Sequence, residues 1–121
     1  MRVAVDIDGT LNAAPQQFVD LLSAIKAAGY RVSVITGASD NPVTQQTFDD
    51  KVGFLSAMGL SECYDDMTII SSVVKGGLAT AKANWCRDNS VDVLIDNNKS
   101  NARAAMQYVP LVLVPWATRV D

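Results

Sequence analysis

A chain of 121 residues, 49% of them apolar, is long enough for one domain with one substantial core and too short for a second of ordinary size. Its 10 Lys plus Arg against 13 Asp plus Glu leave a formal charge of -3, which gives no support to a nucleic-acid partner. The chain has no His, and Cys63 and Cys86 lack a Cys-x-x-Cys spacing. Zinc coordination and His-based catalysis are therefore poorly supported, two buried thiols are expected, and carboxylate, Lys, hydroxyl and metal chemistry remain.

The first apolar strand is predicted over residues 2–7, close to the amino terminus and ending in Asp6-Ile7-Asp8-Gly9-Thr10. Met1 to Val5 run straight into acidic residues without a signal peptide's apolar region, and no later window has the uncharged length to span a bilayer. A cytoplasmic protein with no membrane partner is expected. Two carboxylates two positions apart at a strand end project toward one edge, because side chains alternate faces with a period of two. Asp6 and Asp8 then offer oxygen ligands suited to Mg2+, while Gly9 permits a tight turn and Thr10 helps fix it. The same residues also read as a plain strand-to-turn signal.

Pro15 begins a helix in which Phe18, Leu21, Leu22, Ile25 and Ala28 recur at intervals of three and four, with Gly29 as its stop. A second strand covers Arg31 to Ile35 and ends at Thr36-Gly37. Pro42 opens a second helical region, with Phe48, Val52, Leu55 and Met58 on one stripe and Gly59 at its end. Met67 to Ile70 form a short strand. Val73 to Gly77 form a loop before a helix near 80–89, for which Thr80 is the candidate cap. Val91 to Ile95 are a further strand, Lys99 to Gln107 a helix, and Leu111 to Val114 the last strand. Trp85 and Trp116 read as packing residues, and the pairs Asp49-Asp50 and Asp65-Asp66 as solvated surface.

This alternation predicts an α/β fold, three-layer and Rossmann-like, with a mostly parallel five-stranded sheet. In such a sheet, residues at the carboxyl ends of the strands collect in one crevice, which brings Asp6, Asp8, Thr36, Asp96 and Asn97 together.

Asp6-x-Asp8-Gly9-Thr10, Ile35-Thr36-Gly37, a lysine near the third major helix and Ile95-Asp96-Asn97-Asn98-Lys99-Ser100-Asn101 follow one another across nearly the whole chain. In order and spacing these four elements resemble the haloacid-dehalogenase-like phosphohydrolase superfamily. The resemblance implies strand order 5-4-1-2-3 and a single catalytic core domain over 1–121 without a full cap. It implies a Mg2+-dependent phosphomonoester phosphatase in which Asp6 is the nucleophile and Asp8 the general acid and base. Thr36 would contact a phosphoryl oxygen. Lys82, preferred over Lys75, would neutralise phosphate charge. The implied metal donors are Asp6, the Asp8 main-chain carbonyl and Asn97, with Asp96 binding directly or through water and Asn101 a weaker candidate.

The fourth element departs from the usual paired-Asp form, since Asn97 and Asn101 stand where carboxylates are common. The natural substrate is left open: a phosphorylated small molecule or macromolecule, with a nucleotide or terminal nucleic-acid phosphate among the candidates. Oligomeric state is also left open. The competing expectation is a noncatalytic phosphate-binding or protein-interaction module on the same fold, and a response-receiver-like domain fits less well.

Overall fold

Along each central strand the apolar side chains point alternately up and down, so both faces of the sheet need covering. The computed structural model describes residues 1–115 and shows how they are covered. In chain order the elements are β1 (Arg2–Val5), a 3-10 turn (Leu11–Ala13), α1 (Pro15–Ala27), β2 (Arg31–Ala38), α2 (Gln45–Ala57), β3 (Asp66–Ser71), α3 (Leu78–Asp88), β4 (Val93–Ile95), α4 (Lys99–Ala105) and β5 (Leu111–Leu113). Every strand pairing is parallel, and the strands lie in the order β3-β2-β1-β4-β5. This is the three-layer α/β fold with its five-stranded sheet in the expected order.

The two cores follow from the alternation. Val3 and Val5 of β1, Val32 and Val34 of β2 and Ile95 of β4 pack with Phe18 and Leu22 of α1 and Leu55 of α2. Ala4, Ile35 and Leu94 face the other way, against Cys86 of α3 and Ala105 of α4. Val5 is in register with both Val34 and Ile95, so β1 and β4 end at one level while β2 runs on to Ala38. The carboxyl edge is therefore stepped, and the polar residues gather on that step.

Several boundaries differ from expectation for local reasons. β1 stops at Val5, and Asp6 to Thr10 leave the sheet as a turn. Leu21 is 47% exposed although it falls on the apolar repeat of α1; Phe18 and Leu22 carry the buried contact. The second helix starts three residues after Pro42, because Thr44 and Thr47 form a reciprocal capping box there. α3 is entered at Gly77, which leaves Thr80 inside the helix rather than at its cap. Cys63 and Cys86 are buried free thiols, and burial pushes the Cys86 thiol up to about 11. Trp85 is partly buried against the second core, with the Arg2 guanidinium 5.0 Å from its ring centre. Trp116 lies outside the described residues. Among those residues no helix is long and apolar enough to cross a membrane.

Asp65 and Asp66 are not merely solvated, which corrects their reading from sequence. Asp66 takes a 2.6 Å ion pair from Arg31, and Asp65 accepts the Val32 amide at 2.8 Å and pairs with Lys26 at 3.4 Å. The Val32 amide, ahead of Lys26 and Arg31, holds the Asp65 carboxyl below the usual carboxylate range. A lowered carboxylate pKa contributes stability above the unfolded value, and that contribution is lost as pH falls through the folded value. Asp65→Asn should therefore be less stable than wild type at pH 7, with the gap closing below about pH 4. Urea unfolding at several pH values checks this; a gap independent of pH would show that the carboxylate charge is not what Val32 and Lys26 hold.

Candidate functional site

The site begins where β1 lets go of the sheet. The Asp6 amide still donates to the Ile95 carbonyl at 3.0 Å, but the chain then turns, with Thr10 N donating to Ile7 O at 3.1 Å and Gly9 at φ +76°. Asp8 is thus exposed on a turn while Asp6 is buried at its base. Strand alternation does not place Asp8, as the sequence argument supposed; the turn does. The Gly9 amide donates to Asn12 Oδ1 at 2.7 Å, which closes the turn from its other side.

α3 supplies the cation. Lys82 is 1% exposed and donates from Nζ to Asp6 Oδ1 at 2.9 Å and to Asp96 Oδ2 at 3.0 Å. Lys75 is exposed in the loop before α3. Asp96 is wholly buried, and both its oxygens are engaged: Oδ1 accepts the Asn98 amide at 2.8 Å, and Oδ2 accepts Asn101 Nδ2 at 3.1 Å as well as Lys82. One ammonium between two buried carboxylates leaves an excess of negative charge. Burial, opposed by Lys82 and reinforced by Asp96, raises the Asp6 pKa.

Thr10 and Asn97 join the two strand ends. Thr10 Oγ1 donates to Asn97 Oδ1 at 3.2 Å and accepts the Asn97 amide at 3.1 Å. A Cβ built at Gly9 would run into Asn97 Nδ2, so glycine lets the turn lie against that side chain. At the end of β2, a Cβ on Gly37 would meet Leu78 Cδ2 at 2.6 Å. Thr36 is 1% exposed, and its Oγ1 is a buried side-chain polar atom with no hydrogen-bond partner among the described residues.

These groups surround one cavity of about 340 Å³. Asp6, Asp8, Thr36, Lys82, Asn97 and Asn101 all line it, joined by Gly37, Ser39, Ser72, Leu78 and Asn98. Asp96 is not a wall residue; it sits behind the wall, bonded to three residues that are. Sequence reasoning missed Ser39, Ser72 and Leu78. For Ser39 the signal was its position just past the end of β2, which runs farther than its apolar stretch suggests. As for a metal, no group of three or more His, Cys, Asp or Glu is placed to hold one among the described residues.

No family model matches the chain, and no curated protein matches its sequence. Solved structures do match its fold. A protein of the universal stress protein family from Burkholderia pseudomallei has a TM-score of 0.59 at 14% identity, covering 94% of this chain and 95% of its own. A universal stress protein solved in complex with cAMP gives 0.60 at 13% identity, covering 98% of each chain. One from Archaeoglobus fulgidus, in complex with dAMP, gives 0.58 at 11%, covering 93% of this chain and 96% of its own. The fold is shared with universal stress proteins.

That finding corrects the haloacid-dehalogenase-like assignment and, with it, the phosphomonoester phosphatase and hydrolase readings. The physical reason lies in what the motif residues do. Thr10 and Asn97 tie two strand ends, Asp96 caps the following turn and anchors Lys82, and Gly9 makes room for Asn97. Such tasks arise at the carboxyl edge of a parallel sheet whatever the chemistry, so motif order did not discriminate between families that share it.

Proposed function

We propose that this chain is a nucleotide-binding domain that holds the phosphate end of a nucleoside phosphate in the carboxyl-edge cavity and does not turn it over. The observation that carries the reading is Thr36 Oγ1, a buried hydroxyl on the cavity wall without a partner among the described residues. A buried polar group needs a hydrogen bond, and a phosphoryl oxygen accepting from Thr36 supplies one. Lys82, Asn97, Asn98 and Asn101 on the same wall add side-chain donors. Two solved neighbours carry cAMP and dAMP, which supports a nucleoside phosphate as the ligand class.

The excess charge on Asp6 and Asp96 opposes an anion, and Mg2+ entering with the phosphates would offset it. A hard ion of this size is commonly held by one or two carboxylates plus ligand phosphate oxygens, so it does not need a cage of three acidic residues. Asp6 Oδ2, Asp8 and Asn97 are the protein oxygens for that role. Asn97 Oδ1 would exchange its Thr10 contact for the ion, whereas Asp96, with both oxygens engaged, would act only through Lys82 and Asn101. A cytoplasmic setting, where thiols stay reduced, belongs to the same proposal and accords with the free Cys63 and Cys86.

Calorimetric titration of AMP with and without Mg2+, on wild type and Thr36→Val, tests the reading. Removing a hydrogen bond to a charged group should weaken AMP binding roughly 10- to 150-fold. Stability should hold or rise slightly, because an unsatisfied buried hydroxyl becomes a methyl of similar shape. The nucleotide should be recovered intact. Equal affinity of the two proteins, or conversion of AMP to nucleoside and phosphate, would overturn the proposal.

A further inference from the structure

A second cavity, of about 360 Å³, opens beside the first and shares Asp8, Ala38 and Ser39 as a common wall. Its far side is the surface of α2, where Asp50, Lys51 and Phe54 face it. Asp50 and Phe54 are four residues apart and so lie one above the other on the helix. Phe54 is 44% exposed and belongs to neither core cluster, whereas Leu55 beside it is fully buried. Packing therefore does not explain an aromatic ring at 54. The wall that carries it is tied together by hydrogen bonds: Thr47, buried in the first turn of α2, donates to Asp40 Oδ2 at 2.7 Å and accepts from the Thr44 amide at 3.1 Å. The loop after β2 is thereby fixed against the helix that carries Phe54.

We infer that this second cavity is the base subsite, in which the nucleobase of a bound nucleoside phosphate stacks on the Phe54 ring while its phosphate occupies the Thr36 and Lys82 cavity. The inference rests on the nucleotide-binding reading and adds where the base goes. A nucleotide has a charged end and a flat aromatic end joined by a sugar, and the two cavities present matching surfaces in that sequence. The first offers a buried ammonium, three asparagines and a hydroxyl unpartnered among the described residues. The second offers the Phe54 ring beside Lys51, with three carboxylates, Asp8, Asp40 and Asp50, on its walls. The sugar spans the shared wall, within reach of the Ser39 hydroxyl. Each cavity alone lies near the lower end of the roughly 300–1,000 Å³ range of small-molecule sites, whereas one ligand lying across both has more of that range to fill.

Stacking on an aromatic side chain depends little on which base is present and is lost on truncation to alanine. The test compares AMP with ribose 5-phosphate, which lacks the base, on wild type, Phe54→Ala and Phe54→Trp. Wild type should bind AMP roughly 5- to 150-fold more tightly than ribose 5-phosphate. Phe54→Ala should abolish most of that difference while leaving ribose 5-phosphate affinity unchanged, and Phe54→Trp should keep it. The inference fails if AMP gains nothing over ribose 5-phosphate on wild type, or if Phe54→Ala preserves the gain. Should neither ligand bind wild type at all, the nucleotide-binding reading falls together with it, so the two failures are distinguishable.

Discussion

Lys82→Met should cost about 3–5 kcal/mol of folding stability, the range found when one partner of a buried ion pair is removed. The cost is large because the methionine leaves Asp6 and Asp96 buried and facing each other with their shared counter-charge gone. Against a typical total of about 5–15 kcal/mol for a folded domain, such a loss makes the variant marginal. The side chain itself is not the problem, since methionine fills a similar volume and packs readily. Adding Asp6→Asn to Lys82→Met should recover part of the loss, because one of the two stranded charges disappears; residues in one network are expected to be non-additive in this way. Urea unfolding of the single and double variants measures both effects. If Lys82→Met lost no more than about 1 kcal/mol, as exposed pairs do, the triad would contribute nothing special to stability.

Much of the scaffold was legible because it is written in apolar runs. Val3, Val5, Val32, Val34, Leu94 and Ile95 bury both faces of the sheet, and a chain that alternates such runs with helical stripes has few ways to fold other than as a covered parallel sheet. Gathering of polar residues at the carboxyl edge follows from that topology, and the cavity does join Asp6, Asp8, Thr36 and Asn97. Less legible were features set by specific contacts. The Thr44 and Thr47 capping box moved the start of α2, and Gly77 rather than Thr80 opens α3. Asp65 and Asp66 looked like surface charge because their cations, Lys26 and Arg31, stand more than thirty residues away along the chain. Phe54 falls off the stripe of Phe48, Val52, Leu55 and Met58, so periodicity left it outside the core but gave no sign of the cavity that it lines.

Function was misread for a related reason. Asp6, Asp96 and Asn97 were weighed as chemical groups, yet each has hydrogen bonds that account for its position in the fold. Thr36 is the exception. Its hydroxyl is buried, its strand neighbours do not use it, and no structural task is left for it among the described residues. Such a leftover group points to a ligand more directly than Lys82, Asn97 or Asn101, whose positions their protein partners already explain.

Gly9→Ala should be the most damaging of the single-methyl additions. Alanine at φ +76° carries the left-handed penalty of about 1–2 kcal/mol, and its new Cβ would also run into Asn97. Gly29→Ala is the internal control: φ is +90° there, with nothing within 4 Å of the added carbon, so it shares the backbone strain and lacks the collision. Gly9→Ala must move Asn97 or distort the turn, and either change breaks the paired Thr10 contacts that tie β1 to β4. Gly9→Ala should therefore lose about 1–3 kcal/mol more stability than Gly29→Ala, the usual cost of overpacking. Because Asp8 and Asn97 stand on the cavity wall, it should also weaken AMP binding by about tenfold or more, whereas Gly29→Ala should bind as wild type does. Equal losses of stability in the two variants, with affinity untouched in both, would mean that Asn97 yields freely and that its contact with the Gly9 turn does not shape the site.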